Sequence, residues 1–166
     1  MKTTMRRLIL ASLMAALVCV ATMIVKIPSP LKGYINLGDC MVLLSGWILP
    51  PGLGFLAAGL GSGLADLFAG YGVYIPATFL IKGLMAVIAW GAARLFAEKI
   101  GGFFARLSGG LLAELWMILG YYLFEGVLYG FGASLINIPS NGVQGAFGLV
   151  IGLLLIKVFE RIIKKT

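Results

Sequence analysis

The chain has no histidine, only six acidic residues and two cysteines among its 166 residues, and each scarcity removes a class of chemistry. Without histidine, metal sites of the usual kind and Ser-His nucleophile systems are excluded, and no metal-ligating or catalytic residue is assigned. Cys19 and Cys40 form no ligand motif and fall within or beside apolar stretches at different expected depths. They read as small core residues rather than a disulfide. No Gly-Lys-Ser/Thr ending follows the glycine-rich run Gly52 to Gly70, and no strand precedes Gly59-Leu-Gly-Ser-Gly63, so a phosphate-binding loop is not supported. Gly59 and Gly63, with Gly54, Ala58, Gly61 and Ala65, instead make small faces on which helices approach closely in lipid. Neither a repeat of fixed period nor a low-complexity tract is present.

What is abundant is hydrocarbon. With 61% hydrophobic residues, 11% charged residues and a mean hydropathy of +1.06, the chain has more apolar surface than a water-soluble domain of this size can hide. The bilayer is its solvent, and the length allows one bundle, residues 1–166, with no appended catalytic domain. The net charge of +7 does not point to nucleic acid, because Lys and Arg cluster at the ends of apolar segments. Lys2, Arg6 and Arg7 precede the first segment; Arg94, Lys99 and Arg106 are expected in one inter-helix loop; Lys157, Arg161, Lys164 and Lys165 close the chain. The positive-inside rule places all of these on the cytoplasmic side, leaving Lys26 and Lys32 in an outer loop and Lys82 inside the membrane.

Six apolar segments follow: about Met5 to Val25, Gly38 to Leu49, Gly52 to Ala69, Ile75 to Phe96, Ser108 to Phe131 and Ile138 to Ile163. The predicted fold is an all-α integral membrane protein of six transmembrane helices with both termini cytoplasmic. The first segment resembles a signal peptide, but its apolar run exceeds the usual 7 to 15 residues and no clean cleavage site follows, so it reads as a retained helix. The second is short for a span and is expected to be tilted or continued by the loop before it. Pro50 and Pro51 break the second segment from the third. The outer loop 26–37 is long among such brief connections; two prolines stiffen it, Gly33 offers a hinge, and a lid over a pocket and a plain connector are both open readings.

Polar side chains within apolar segments are costly, so their positions carry information. Glu114, Ile118, Tyr121, Glu125 and Leu128 share one stripe of the fifth segment. The two carboxylates lie roughly 16 Å apart along the axis, too far to act as an acid and base on one bond. Asn137, Asn141 and Gln144 repeat on the sixth segment, followed by Gly148 and Gly152 on the same face. Asp66, with Ser62 one turn below, and Lys82, with Thr78 one turn above, are expected at similar depth and able to pair. Asp39 is expected to cap the second helix. Glu125, mid-helix beside Tyr121, Tyr122 and Tyr129, is the first candidate for a ligand contact. Asp39, Asp66 and Glu125 against Lys82 leave the outer cluster at minus two, which disfavours a strongly anionic substrate unless Lys32 offsets it.

With those residues placed, the chain resembles the substrate-binding S components of energy-coupling factor (ECF) vitamin transporters, in the riboflavin-type branch. The resemblance runs through Ile27-Pro28, Gly33-Tyr-Ile-Asn-Leu-Gly-Asp39, Gly61-Ser62, Ala65-Asp-Leu67, Gly70-Tyr71, Pro76-Ala-Thr78 and Ile81-Lys-Gly83, roughly half of the chain in order. It implies a prokaryotic cell-membrane bundle, not an enzyme and without cofactors, that captures a vitamin or precursor from outside. The pocket would lie between the first outer loop, with Tyr34 and Asn36, and the outer ends of helices four to six. ATP hydrolysis would belong to two ATP-binding cassette subunits working through a transmembrane coupling protein. The family's Ala-x-x-x-Ala contact for that protein matches Ala11 and Ala15, although intramolecular packing also explains two small residues on one face. The chain departs from the branch at Gly63 and Cys40, which leaves the substrate open.

The expected substrate-binding set is Glu125, Asn141, Asn137, Tyr121, Tyr122, Lys82, Tyr34 and Asn36, with Asp39 and Asp66 as structural polar residues. Tyr and Trp stack on a ring while carboxylate and amides grip its polar groups. A vitamin B6-like or pyrimidine compound is favoured, with riboflavin second. The rival reading is a stand-alone proton-coupled carrier or channel using Glu114 and Glu125 as relay sites.

Overall fold

The computed structural model describes residues 2–29, 31 and 34–165. Among them are six helices of 11 residues or more: α1 (Lys2–Ile24), α2 (Gly38–Ile48), α3 (Pro51–Phe68), α4 (Ile75–Ile100), α5 (Gly102–Tyr129) and, after the short α6 (Phe131–Ser134), α7 (Ile138–Lys165). Three-residue 3-10 turns, Gly72–Tyr74 and Leu135–Asn137, precede α4 and α7. The predicted all-helical architecture is therefore present, with one addition. Residues of the outer loop form two short strands, β1 (Ile27–Pro28) and β2 (Tyr34–Ile35), paired antiparallel with Ile27 opposite Ile35. The hinge expected at Gly33 and the charge at Lys32 lie outside the described residues.

Among the described residues, four stretches are long and apolar enough to cross a membrane: Thr4–Ile24, Pro51–Phe68, Gly72–Ile100 and Gly102–Tyr129. Their outward faces are greasy, as lipid requires: Ile24 and Val127 expose 74% and 79% of their surface. Helix α2 is different. At 1.5 Å per residue it is only about 16 Å long, short of a hydrocarbon core of about 30 Å. It sits in the middle of the bundle, touching α1, α3, α4, α5 and α7, and the buried residue Asn36 lies just before its N-terminal end. Pro51 opens α3 at a position where its missing N–H costs nothing, so the two prolines turn the chain from α2 into α3 without a loop.

Close approach is bought by small residues. A Cβ on Gly61 would strike the Ala15 carbonyl of α1, one on Gly46 the Ala86 carbonyl of α4, and one on Gly59 would lie 2.7 Å from the Phe79 carbonyl of α4. The packing reading of the α3 glycines thus holds at Gly59 and Gly61, while Gly63 meets only ordinary contacts with Ile75.

The expected loop containing Arg94, Lys99 and Arg106 is absent. Helices α4 and α5 run on through 97–107 and are joined at Gly101 alone, whose φ of +78° supplies the left-handed turn. Ala97, Glu98 and Lys99 before the junction and Ala105, Arg106 and Leu107 after it are good helix formers, and three basic side chains do not by themselves end a helix. At that end Arg6 of α1 donates to the Ile163 carbonyl of α7, and Arg106 pairs with Glu160, so the two chain ends lie together with the α4–α5 junction.

Candidate ligand-binding site

The opposite end holds two stacked polar layers. The upper one is a cavity roofed by the hairpin residues Ser29, Tyr34 and Asn36. Its walls are Asp66 of α3, Tyr71 and Tyr74 of the turn, Thr78 of α4, Tyr121 and Glu125 of α5, and Asn141 and Gln144 of α7. Of the residues expected to touch a ligand, the structure brings Glu125, Asn141, Tyr121, Tyr34 and Asn36 to this one cavity.

Asn137 stands beside it. Its amide donates to both oxygens of Glu125 at 2.9 and 3.0 Å, while Tyr74 OH donates to Oε1 at 3.3 Å. Glu125 is 3% exposed, and these donors are what make a carboxylate tolerable there. Asn137 also exchanges hydrogen bonds with the Leu31 backbone, accepting from its N–H at 3.2 Å and donating to its carbonyl at 3.3 Å. The hairpin is tied down twice more. Tyr34 OH donates to Asp66 Oδ1 at 2.8 Å, and Gln144 Oε1 accepts from the Asn36 backbone and side-chain amides at 2.9 and 3.1 Å. Burial, then the negative charge of Asp66, push the Tyr34 phenol well above its ordinary value, so it stays a donor.

Two expected residues fall elsewhere. Tyr122 is turned away from the cavity and packs its ring against Phe131 at 5.8 Å, because it follows Tyr121 by one position and so points some 100° around α5. Lys82 lies in the lower layer.

That lower layer corrects two pairings. Lys82 binds Asp39, not Asp66, and both are almost wholly buried. Equal depth along two neighbouring helices did not decide the partner; α2, threaded through the centre, brings its first turn against α4, while Asp66 is taken by the hairpin's Tyr34. Asp39 consequently does not cap α2. Asn36 takes that role, its Oδ1 accepting the Gly38 N–H at 2.8 Å, and Gly38 is required there because a Cβ would collide with the Thr22 hydroxyl. Asp39 Oδ2 accepts from Gln144 Nε2 at 2.8 Å, so Gln144 joins the roof to the floor.

Glu114 completes the layer. Its carboxyl is buried with no hydrogen-bond donor to either oxygen among the described residues, and it fits because α7 offers glycines: Cβ atoms on Gly145 and Gly148 would stand 2.9 and 3.2 Å from its oxygens. Glu114 and Glu125 thus belong to different layers, consistent with the separation along α5.

Tyr71, Tyr74 and Gln144 line the cavity without being among the expected site residues. The tyrosines form an aromatic row, Tyr34 to Tyr71 at 4.9 Å, Tyr71 to Tyr74 at 6.2 Å and Tyr74 to Phe124 at 5.3 Å. In the sequence they sit in a turn, where tyrosine also serves as an interface anchor. Gln144 was visible on the amide stripe of its helix. Thr78, whose hydroxyl lies 3.1 Å from Tyr121 OH, was visible one turn above Lys82.

A greasy helical bundle with a roofed polar cavity at one end defines a class, helical membrane proteins whose buried carboxylates, amides and phenols can grip a small molecule. The comparisons give the particular family. Residues 2–161 match the ECF-type riboflavin transporter, S component, and the chain belongs to that family. It is a substrate-binding subunit of an ECF transporter. An uncharacterized protein of Pyrococcus woesei is 37% identical over 137 residues, covering 81% of this chain and 88% of that one. The fold is similar to the solved S component of a bacterial ECF transporter, with a TM-score of 0.70 at 21% identity, covering 97% of this chain and 99% of that chain.

Proposed function

We propose that this chain captures a small aromatic, hydrogen-bond-rich vitamin or vitamin precursor from outside a prokaryotic cytoplasmic membrane, beneath the hairpin, and delivers it inward with a coupling protein and two ATP-binding cassette subunits. Six helices span, the basic end faces the cytoplasm, and the hairpin acts as the lid. The observation that carries this reading is the triple tether of the hairpin, through Leu31, Tyr34 and Asn36, to Asn137, Asp66 and Gln144 around the same cavity. Tethers of single hydrogen bonds, each worth about 1 kcal/mol, hold a lid closed yet release it.

A vitamin B6-like or pyrimidine compound remains favoured over riboflavin. Only about 40 Å³ of the cavity is open to the centre of a water molecule, room for about three waters, so a ligand must open the lid, and a single ring requires less opening than three fused rings. The tyrosine row supplies ring contacts, and Asp66 and Glu125 accept from hydroxyl or amino groups. Asp39 neutralises Lys82 below the cavity, so among the described residues no cation lines it for a phosphate.

Glu125→Gln tests the site. The bundle should remain intact while affinity by calorimetry falls about tenfold, the loss of one charge-assisted hydrogen bond. Unchanged affinity removes Glu125 from the site. Mass spectrometry of the co-purified compound identifies the ligand, and uptake into vesicles holding this chain alone would favour the stand-alone carrier.

A further inference from the structure

The basic end of the bundle contains a second, larger cavity, of about 610 Å³, that the capture of a nutrient does not use. It lies where α1, α4 and α7 meet the α2–α3 corner, and Arg6, Arg7, Arg94 and Trp90 give it its polar character. No acidic side chain lines it. Among the described residues the only carboxylate paired with an arginine is Glu160, on Arg106.

Each wall offers something to an anion. The Arg94 guanidinium lies over the Trp90 ring at 4.9 Å, and the Trp90 indole N–H is buried without an acceptor among the described residues. Arg6 is held by the Ile163 carbonyl. Pro51, at the first position of α3, brings the positive end of an 18-residue helix to the cavity, and no side chain caps it. The remaining lining is hydrocarbon, including Leu10, Ile48 and Leu49, and Met5 and Ile9, next in sequence to Arg6 and Leu10 on α1, are exposed. Arginines on a greasy rim at the end of membrane helices match one chemistry, a phosphodiester carrying acyl chains.

We propose that this cavity binds the headgroup of an anionic phospholipid, with the phosphate between Arg7, Arg94 and the Trp90 N–H and the acyl chains along α1. The lipid would join α1, α4 and α7 at the end where the chain termini meet, independently of ligand capture at the other end.

Native mass spectrometry of the full chain in detergent tests this with phosphatidylglycerol, phosphatidylcholine and inorganic phosphate as probes. Phosphatidylglycerol should remain bound at ratios where phosphatidylcholine does not, and Arg7→Gln with Arg94→Gln should weaken it about tenfold or more. Arg7→Lys with Arg94→Lys keeps the charge and should lose less, because a lysine cannot present the planar fork. Lys99→Gln with Lys157→Gln removes the same charge outside the cavity and should leave binding unchanged. Equal retention of the two lipids, or equal loss in both glutamine pairs, overturns the site. Displacement of the lipid by millimolar inorganic phosphate overturns the lipid assignment in favour of a soluble phosphate.

Discussion

The two sides of this bundle solve opposite problems. On the side of α2, α4, α5 and α7, buried polar groups are linked from Leu31 through Asn137 to Glu125, and from Asn36 through Gln144 to Asp39 and Lys82. On the side of α1 and α3 the contact is made by Ala15, Val18 and Gly61, and the groove between the helices is lined by Leu8, Ala11, Ser12, Ala16 and Leu60, with scarcely a polar atom. Polar links are directional and fix each partner, whereas small-residue contacts depend on shape alone. The first side is built to hold a shape around a solute; the second is built to present a smooth surface. Ala11 and Ala15 line this groove with Ser12 and Ala16; Ala11 is mostly buried and the Ala15 carbonyl faces Gly61, so Ser12 and Ala16 present its more exposed part.

The comparison breaks most readily at Lys82. Lys82→Met strands the Asp39 carboxylate, which is 0% exposed, in the centre of the bundle, and should cost about 3–5 kcal/mol of stability in detergent unfolding. Lys82→Met with Asp39→Asn removes both charges and should recover most of that loss. If the single substitution is harmless, the lower layer is not an ion-paired floor. Next in size is Gly61→Val, whose side chain would meet the Ala15 backbone and Val18, and should cost about 1–3 kcal/mol by overpacking with ligand affinity retained. A large fall in affinity with it would show that the two sides are coupled. Ala16→Leu changes the exposed groove instead and should impair assembly with the coupling protein while ligand binding and melting temperature stay near the parent's; normal assembly would reject this face.

How much of this could be read in the chain follows from which residues depend on a single helix. Glu125, Tyr121 and Asn141 were placed by phase within their own helices, and phase is a local property. The partners of Lys82 and Asp39 were not, because a pairing depends on the tilt and depth of two helices, and the central position of α2 leaves no mark in its eleven residues beyond their apolarity. The hairpin was legible as an unusually long loop but not as strands, since two paired residues on each side carry no period. The continuation of α4 and α5 to Gly101 was masked by basic residues, which mark a membrane boundary rather than a helix end.

The smallest expected effect sharpens the comparison most, because it separates the hairpin from the cavity walls. Tyr34→Phe removes one hydrogen bond to Asp66 and keeps the ring that packs on Tyr71 at 4.9 Å. The loss should be about 1 kcal/mol, read as roughly fivefold faster ligand release with the melting temperature nearly unchanged. Because burial raises the phenol above its ordinary value of 10.0, the latch is fully present below that pH and lost only as pH rises through the higher value. The parent and Tyr34→Phe release rates should therefore keep the same ratio from about pH 6 to about pH 9 as far as the phenol is concerned. A Tyr34→Phe chain that releases ligand at the parent's rate would mean that the hairpin rests on the cavity without gating it, and the tethers at Leu31 and Asn36 would then be structural links of the same kind as those in the floor.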